Sequence, residues 1–125
     1  MDTVMLEFRA WHKSRKEMAS IYWLDFNERK ACLAFNAPYR VEGCIPFDDI
    51  VIMQWTGLND KLGKKIFDGD VIMIDWEDIR YLPHTAVVEW DDRNLCWKFE
   101  GGCPTTDSEY FQVVGHCYAL PDEPR

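Results

Sequence analysis

Apolar residues in this chain recur at every second position and almost nowhere at helical spacing. Val4, Leu6, Phe8 and Ala10 alternate with Met5, Glu7, Arg9 and Trp11. Successive side chains on a strand point to opposite faces, so this pattern describes a first strand with one apolar and one mixed face. No amphipathic segment of helical length separates one extended segment from the next, which argues against parallel βαβ units. A chain of 125 residues supplies one real core, so one domain spanning 1–125 is expected.

Turn-forming residues cut the chain into short pieces. The basic stretch His12-Lys13-Ser14-Arg15-Lys16 breaks the first alternation and reads as a loop. Ile21 to Phe26 and Ala31 to Phe35 flank the polar Asn27-Glu28-Arg29-Lys30, the signature of a hairpin that Asn36-Ala37-Pro38 ends. Ile45 to Asp49 is long enough for a single helical turn, and Ile50 to Trp55 is the next strand. Thr56-Gly57, Asp60 to Gly63 and Asp68-Gly69-Asp70 are turns, the last with Gly69 at positive φ, and Val71 to Trp76 follows as a strand. After a charged excursion to Pro83, Ala86 to Trp90 and Leu95 to Phe99 flank Asp91-Asp92-Arg93-Asn94, a second hairpin. Gly101 to Ser108 is a loop, Tyr110 to Tyr118 a last strand, and Pro121 to Arg125 a frayed tail. Roughly seven or eight short strands with Gly and Pro punctuation predict an antiparallel barrel or sandwich.

Charge narrows the function classes. There are 14 Lys and Arg against 22 Asp and Glu, a net charge of -8. Proteins that track nucleic acid or anionic lipid carry a basic surplus, so neither partner is expected. The apolar runs fall far short of the ~20 residues that span a bilayer, and Met1-Asp2-Thr3-Val4 has no export pattern. A soluble intracellular protein is expected. The odd count of 5 cysteines, with no C-x-x-C, predicts reduced, buried or half-buried thiols in place of a disulfide framework. Cys103, His116 and Cys117 could form a zinc site only if a bend let neighbours 116 and 117 share one metal, so no metal is expected.

Four segments together carry a resemblance. They are Phe8-Arg9-Ala10-Trp11; Gln54 to Lys61 continued by Gly63 to Ile72; Val87-Val88-Glu89-Trp90; and Val113-Val114-Gly115 followed by Tyr118. In this order and spacing they resemble the YopX family of small bacteriophage and prophage proteins, from about Met5 to Asp122. The resemblance implies an all-β fold with a small SH3-like barrel, an origin in phage or prophage, and the bacterial cytoplasm as location. It implies no reaction, no catalytic residue and no cofactor. His116-Cys117 and the number of cysteines depart from the family pattern.

No complete catalytic set can be assembled from the residues. His12, His84 and His116 lie in no nucleophile motif, and Asp48-Asp49, Asp75-Trp76-Glu77-Asp78 and Asp91-Asp92 read as solvated turn-formers. Binding is the expected class, because 6 tryptophans exceed what one small core needs and Trp, Tyr and Arg anchor interfaces. The residues expected to meet a ligand or partner are Arg9, Trp11, Lys13, Trp55, Thr56, Lys64 and Trp90. Trp11 sits on the mixed face of the first strand, as a contact, a stacking platform or core. Basic residues cluster at Arg9 to Lys16 and at Lys61 to Lys65, enough to hold one small anion. The expected function is a non-catalytic phage or prophage accessory protein that binds, and so inhibits, a bacterial host or defence protein, and that self-associates. The alternatives are an oligomeric sponge for a small nucleotide signal and an SH3-like nucleic-acid-binding module, with a carboxylate-based hydrolase further behind.

Overall fold

A computed structural model describes residues 7–36, 38–93, 95–99 and 109–118. Val4 to Leu6 of the first expected strand, Asn94, the 101–108 loop with Cys103, and the tail from Pro121 lie outside the described residues. The described elements are strands, with one 3-10 turn, and the pairing is antiparallel throughout. The chain divides into two compact units, one of Leu6–Gln54 and one from Trp55 onward.

In the first unit, β1 (Phe8–His12), β2 (Glu17–Asp25), β3 (Lys30–Asn36) and β4 (Tyr39–Pro46) are followed by the 3-10 turn Phe47–Asp49. The first half of β5 (Ile50–Asn59) completes a sheet of order β4-β3-β2-β1-β5. Its turns follow from local chemistry. The β1–β2 and β2–β3 connections end on Lys16 and Arg29, both in the left-handed region at φ 57. The Asp25 carboxylate accepts the Asn27 and Glu28 N–H groups at 3.0 Å each, an Asx turn that sets the second hairpin. Ala10, Ala19, Ala31, Leu33, Phe35, Ile45 and Ile50 form the core, with Phe47 of the 3-10 turn packed against it. The Ala10–Ala19 cross-strand pair leaves room for the larger Leu33 and Phe35.

In the second unit, the rest of β5 pairs with β6 (Lys65–Phe67) across an irregularity between Trp55 and Asn59. β7 (Asp70–Ile74), β8 (His84–Val87) and β11 (Phe111–His116) form a sheet of order β11-β7-β8, and β9 (Glu89–Asp91) pairs with β10 (Cys96–Lys98). Ile66, Ile72, Ile74, Val88, Phe99, Phe111 and Val113 make the core, where Phe99 stacks on Phe111 at 5.2 Å and 15°. Buried Asp60 ties the chain together here. Its carboxylate accepts Leu62 N–H and Lys64 N–H on one oxygen and Val113 N–H of β11 on the other, each at 2.9 Å.

Several expectations are corrected. Tyr39–Pro46 form a full strand, β4, where the sequence leads to no strand. Thr56-Gly57 does not turn the chain: both lie inside β5, with Gly57 at φ 90 accommodating the irregularity. Cys96 is disulfide-bonded, and Cys44 is exposed at φ 59; Cys32 and Cys117 are free, one buried and one half-buried. Cys96 itself is half-buried, on the three-residue strand β10. The described strands form open ladders with no closed ring among them. No helix among the described residues is long and apolar enough to cross a membrane.

Candidate functional site

The seven expected site residues fall in both units. Arg9, Trp11 and Lys13 lie in Leu6–Gln54; Trp55, Thr56, Lys64 and Trp90 lie in the other. Trp11 is 7 % exposed, so it packs inside and is no platform. β1 is paired on both sides, by β2 and β5, and Trp11 is buried on its mixed face as Ala10 is on its apolar one. Met53, cross-strand from Arg9, is fully buried on that second face and accepts the Arg9 Nε–H on its sulfur at 3.2 Å.

Arg15 of the basic loop after β1 and Arg40 of β4 are paired in place. Arg15 pairs with Glu42 at 2.9 Å, and Arg40 pairs with Glu42 at 2.8 Å and with Glu17 at 2.5 Å. Arg40 also lies 4.3 Å over the Phe35 ring, closing one edge of the core with a cation–π contact. Hydrogen bonding by Arg40 holds the Glu42 carboxyl below its ordinary pKa. Ser14 donates Oγ–H to Asp49 Oδ2 at 2.6 Å and N–H to Oδ1 at 3.1 Å, which likewise lowers the Asp49 pKa. His12 Nδ1 accepts the Arg15 N–H at 3.2 Å and lies 3.6 Å from Asp49. Ser14, His12 and Asp49 thus meet, but Ser14 and Asp49 crowd the same ring nitrogen. A relay needs them on opposite nitrogens, so this cluster pins a turn and does not activate a nucleophile.

In the second unit, the Trp55 indole N–H donates to the Leu58 carbonyl at 2.9 Å, and Thr56 Oγ–H donates to the Ile66 carbonyl at 2.8 Å. Both side chains are occupied in shaping β5. Lys65 places its ammonium 5.0 Å over the Trp55 ring, while Lys61 and Lys64 are exposed on the turn that Asp60 organises. Trp90 is different. It is 47 % exposed, stands edge-on to Trp97 at 5.1 Å, and borders an open depression of about 440 Å³. Glu89, Asp91, Asp92, Arg93 and Lys98 line the rest, so three carboxylates face two cations around one indole.

Asp75, Asp78 and Asp91 each serve a turn. Asp75 accepts Glu77 N–H, Asp78 accepts Arg80 N–H, and Asp91 accepts Arg93 N–H, at 2.9, 2.9 and 3.0 Å. Arg80 grips Asp78 through its guanidinium at 2.7 Å, lowering the Asp78 pKa. No group of three His, Cys, Asp or Glu among the described residues is placed to hold a metal ion.

A family model described as YopX protein matches residues 7–122. The chain belongs to the YopX family. No curated protein is a match for it. Among solved structures it is similar to protein EF1440 from Enterococcus faecalis, with a TM-score of 0.64 and 21% identity over 93% of this chain and 95% of that chain. That likeness shows a shared fold. In this YopX-family chain the sequence does not single out the exposed first-unit aromatics Tyr22, Trp23, Phe26 and Tyr39, nor the charged pair Arg40 and Glu42. The alternation of Tyr39 and Val41 with Arg40 and Glu42 was the available signal, hidden between Pro38 and Gly43.

Proposed function

We propose that this YopX-family protein is a non-catalytic accessory protein of a phage or prophage, working in the bacterial cytoplasm by binding and inhibiting a host or defence protein. The observation that carries this is the exposed Trp90 indole beside a depression where Glu89, Asp91 and Asp92 outnumber Arg93 and Lys98. An accessible Trp supplies contact area, and surrounding carboxylates steer a basic partner to it. Turn duties already engage Asp49, Asp75, Asp78 and Asp91, which favours binding over acid–base chemistry. Copies of the chain associate with one another. At the level of fold, we read the chain's short, bulged antiparallel strands as a small SH3-like barrel left open among the described residues.

The test is co-purification of tagged protein from a bacterial lysate. A discrete host protein is expected to be retained at low salt, released at high salt, and lost with Trp90→Ala. Retention that ignores both salt and Trp90 overturns the reading. A second reading, a nucleotide sponge, draws on Arg93 and Lys98 beside Trp90 and on a depression within the ~300–1,000 Å³ of small-molecule sites. A nucleotide that raises the melting temperature and is recovered intact supports it.

A further inference from the structure

β4 ends the ladder of the first unit, with β3 on one side and no described strand on the other. Such an edge carries a row of unpaired peptide groups and is a template for another strand. The parity of that row is fixed. Asn36 and Tyr39 are directly opposed at the closed end of the β3–β4 hairpin. A closing pair exchanges its hydrogen bonds within the hairpin, so the N–H and C=O groups of Arg40 and Glu42 turn to the free side. Pro38 bounds this stretch before it. A bulge bounds it after, where β4 carries one extra residue between Glu42 and Ile45 and Cys44 takes φ 59.

We infer that the partner of this edge is a second copy of the same edge, laid antiparallel with Val41 against Val41 on a twofold axis. This names the surface for the self-association proposed above and rests on it. The register makes Arg40 and Glu42 of the second copy a backbone hydrogen-bonded pair, which carries across the axis the ion network that Arg15, Glu17, Arg40 and Glu42 form within each chain, and the twofold repeats it. Opposite charges at positions two apart are self-complementary only in this antiparallel arrangement. Edge charges ordinarily repel strangers; here they refuse most strands and accept their own kind. On the other face, Tyr39 comes opposite Gly43 of the second copy. A Cβ built at Gly43 would lie 3.9 Å from the Trp23 ring, so Tyr39, 69 % exposed, covers the glycine and meets Trp23 of the other copy. An aromatic over a cross-strand glycine is a known stabilising device at sheet edges. Val41, 43 % exposed, is buried against itself.

The test is the mass of the full chain in solution, with paired charge variants. The wild type is expected at twice the 14.8 kDa chain mass. Arg40→Glu alone places Glu opposite Glu, and Glu42→Arg alone places Arg opposite Arg, so each is expected at the monomer mass. An equimolar mixture of the two restores both opposite-charge contacts and is expected to return to the dimer. Circular dichroism checks that each variant folds. If either does not, Val41→Cys in a Cys44→Gly background replaces them, since glycine suits φ 59 and cross-strand pairs on the axis sit ~4.5–5.5 Å apart at Cβ. Mild oxidation is then expected to link two chains through position 41. A wild type that stays monomeric overturns both this interface and self-association. A wild-type oligomer indifferent to the charge variants, or one that Val41→Cys fails to link, overturns this interface alone.

Discussion

Gly69 shows how much one position can be asked to do. It sits at φ 84, donates its N–H to Val88 O and gives its carbonyl to Cys117 N–H, both at 2.8 Å. A Cβ there would meet the Tyr118 ring at 3.2 Å, whereas at Gly57 and Gly63, also at positive φ, it would meet nothing within 4 Å. Gly69→Ala is therefore expected to cost about 2–3 kcal/mol, against about 1–2 kcal/mol for Gly63→Ala, where only the backbone conformation is penalised. Urea denaturation of the two variants measures the difference. Equal losses would mean that Tyr118 moves aside freely. Asp60 makes a similar case through hydrogen bonding. Asp60→Asn keeps the shape but turns one accepting oxygen into an N–H donor, leaving a buried backbone N–H without its partner. A loss of about 1–3 kcal/mol is expected in the same assay.

At the scale of elements, the β1–β2 turn is held to the 3-10 turn by Asp49, through Ser14 and through Lys13 N–H, which donates to Asp49 O at 2.8 Å. The sign of its pH dependence follows from the lowered carboxyl pKa. A carboxyl with a lower pKa folded than unfolded contributes stability above the unfolded value of roughly 3.9, lost as pH falls through the folded value. Glu42, lowered by Arg40, acts in the same direction. Acid unfolding is thus expected to steepen below about pH 4 in the wild type. Ser14→Ala should lower stability at neutral pH and flatten this acid limb, because Asp49 then titrates nearer its ordinary range. Thermal melts between pH 2 and 7 check both. An unchanged acid limb in Ser14→Ala would show that the hydrogen bond does not set the Asp49 pKa.

At the scale of the whole chain, residues that hold the fold and residues left for contact separate. Trp11, Trp55 and Thr56 serve the fold, while Trp90 is half-exposed, edge-on to Trp97. Trp90→Ala is expected to change folding stability by about 1 kcal/mol, the scale of one exposed aromatic pair, while removing partner capture. Calorimetry beside the co-purification assay tests this, and a large stability loss would reassign Trp90 to structure.

The alternation of apolar residues was enough to specify strands, because a period of two fits only an extended chain with one face covered. Turn chemistry was enough to place the hairpins around residues 27–29 and 91–93, the single turn at Phe47–Asp49, and the positive φ of Gly69, since those conformations depend on neighbours in sequence. What covers the second face of a strand is a property of distant residues. The burial of Trp11 and Met53, the neutralisation of Arg15 by Glu42 and the edge position of β4 were therefore decided only when the strands were laid side by side. Alternation tells which residues share a face, but pairing order alone determines which faces and edges are left for a partner.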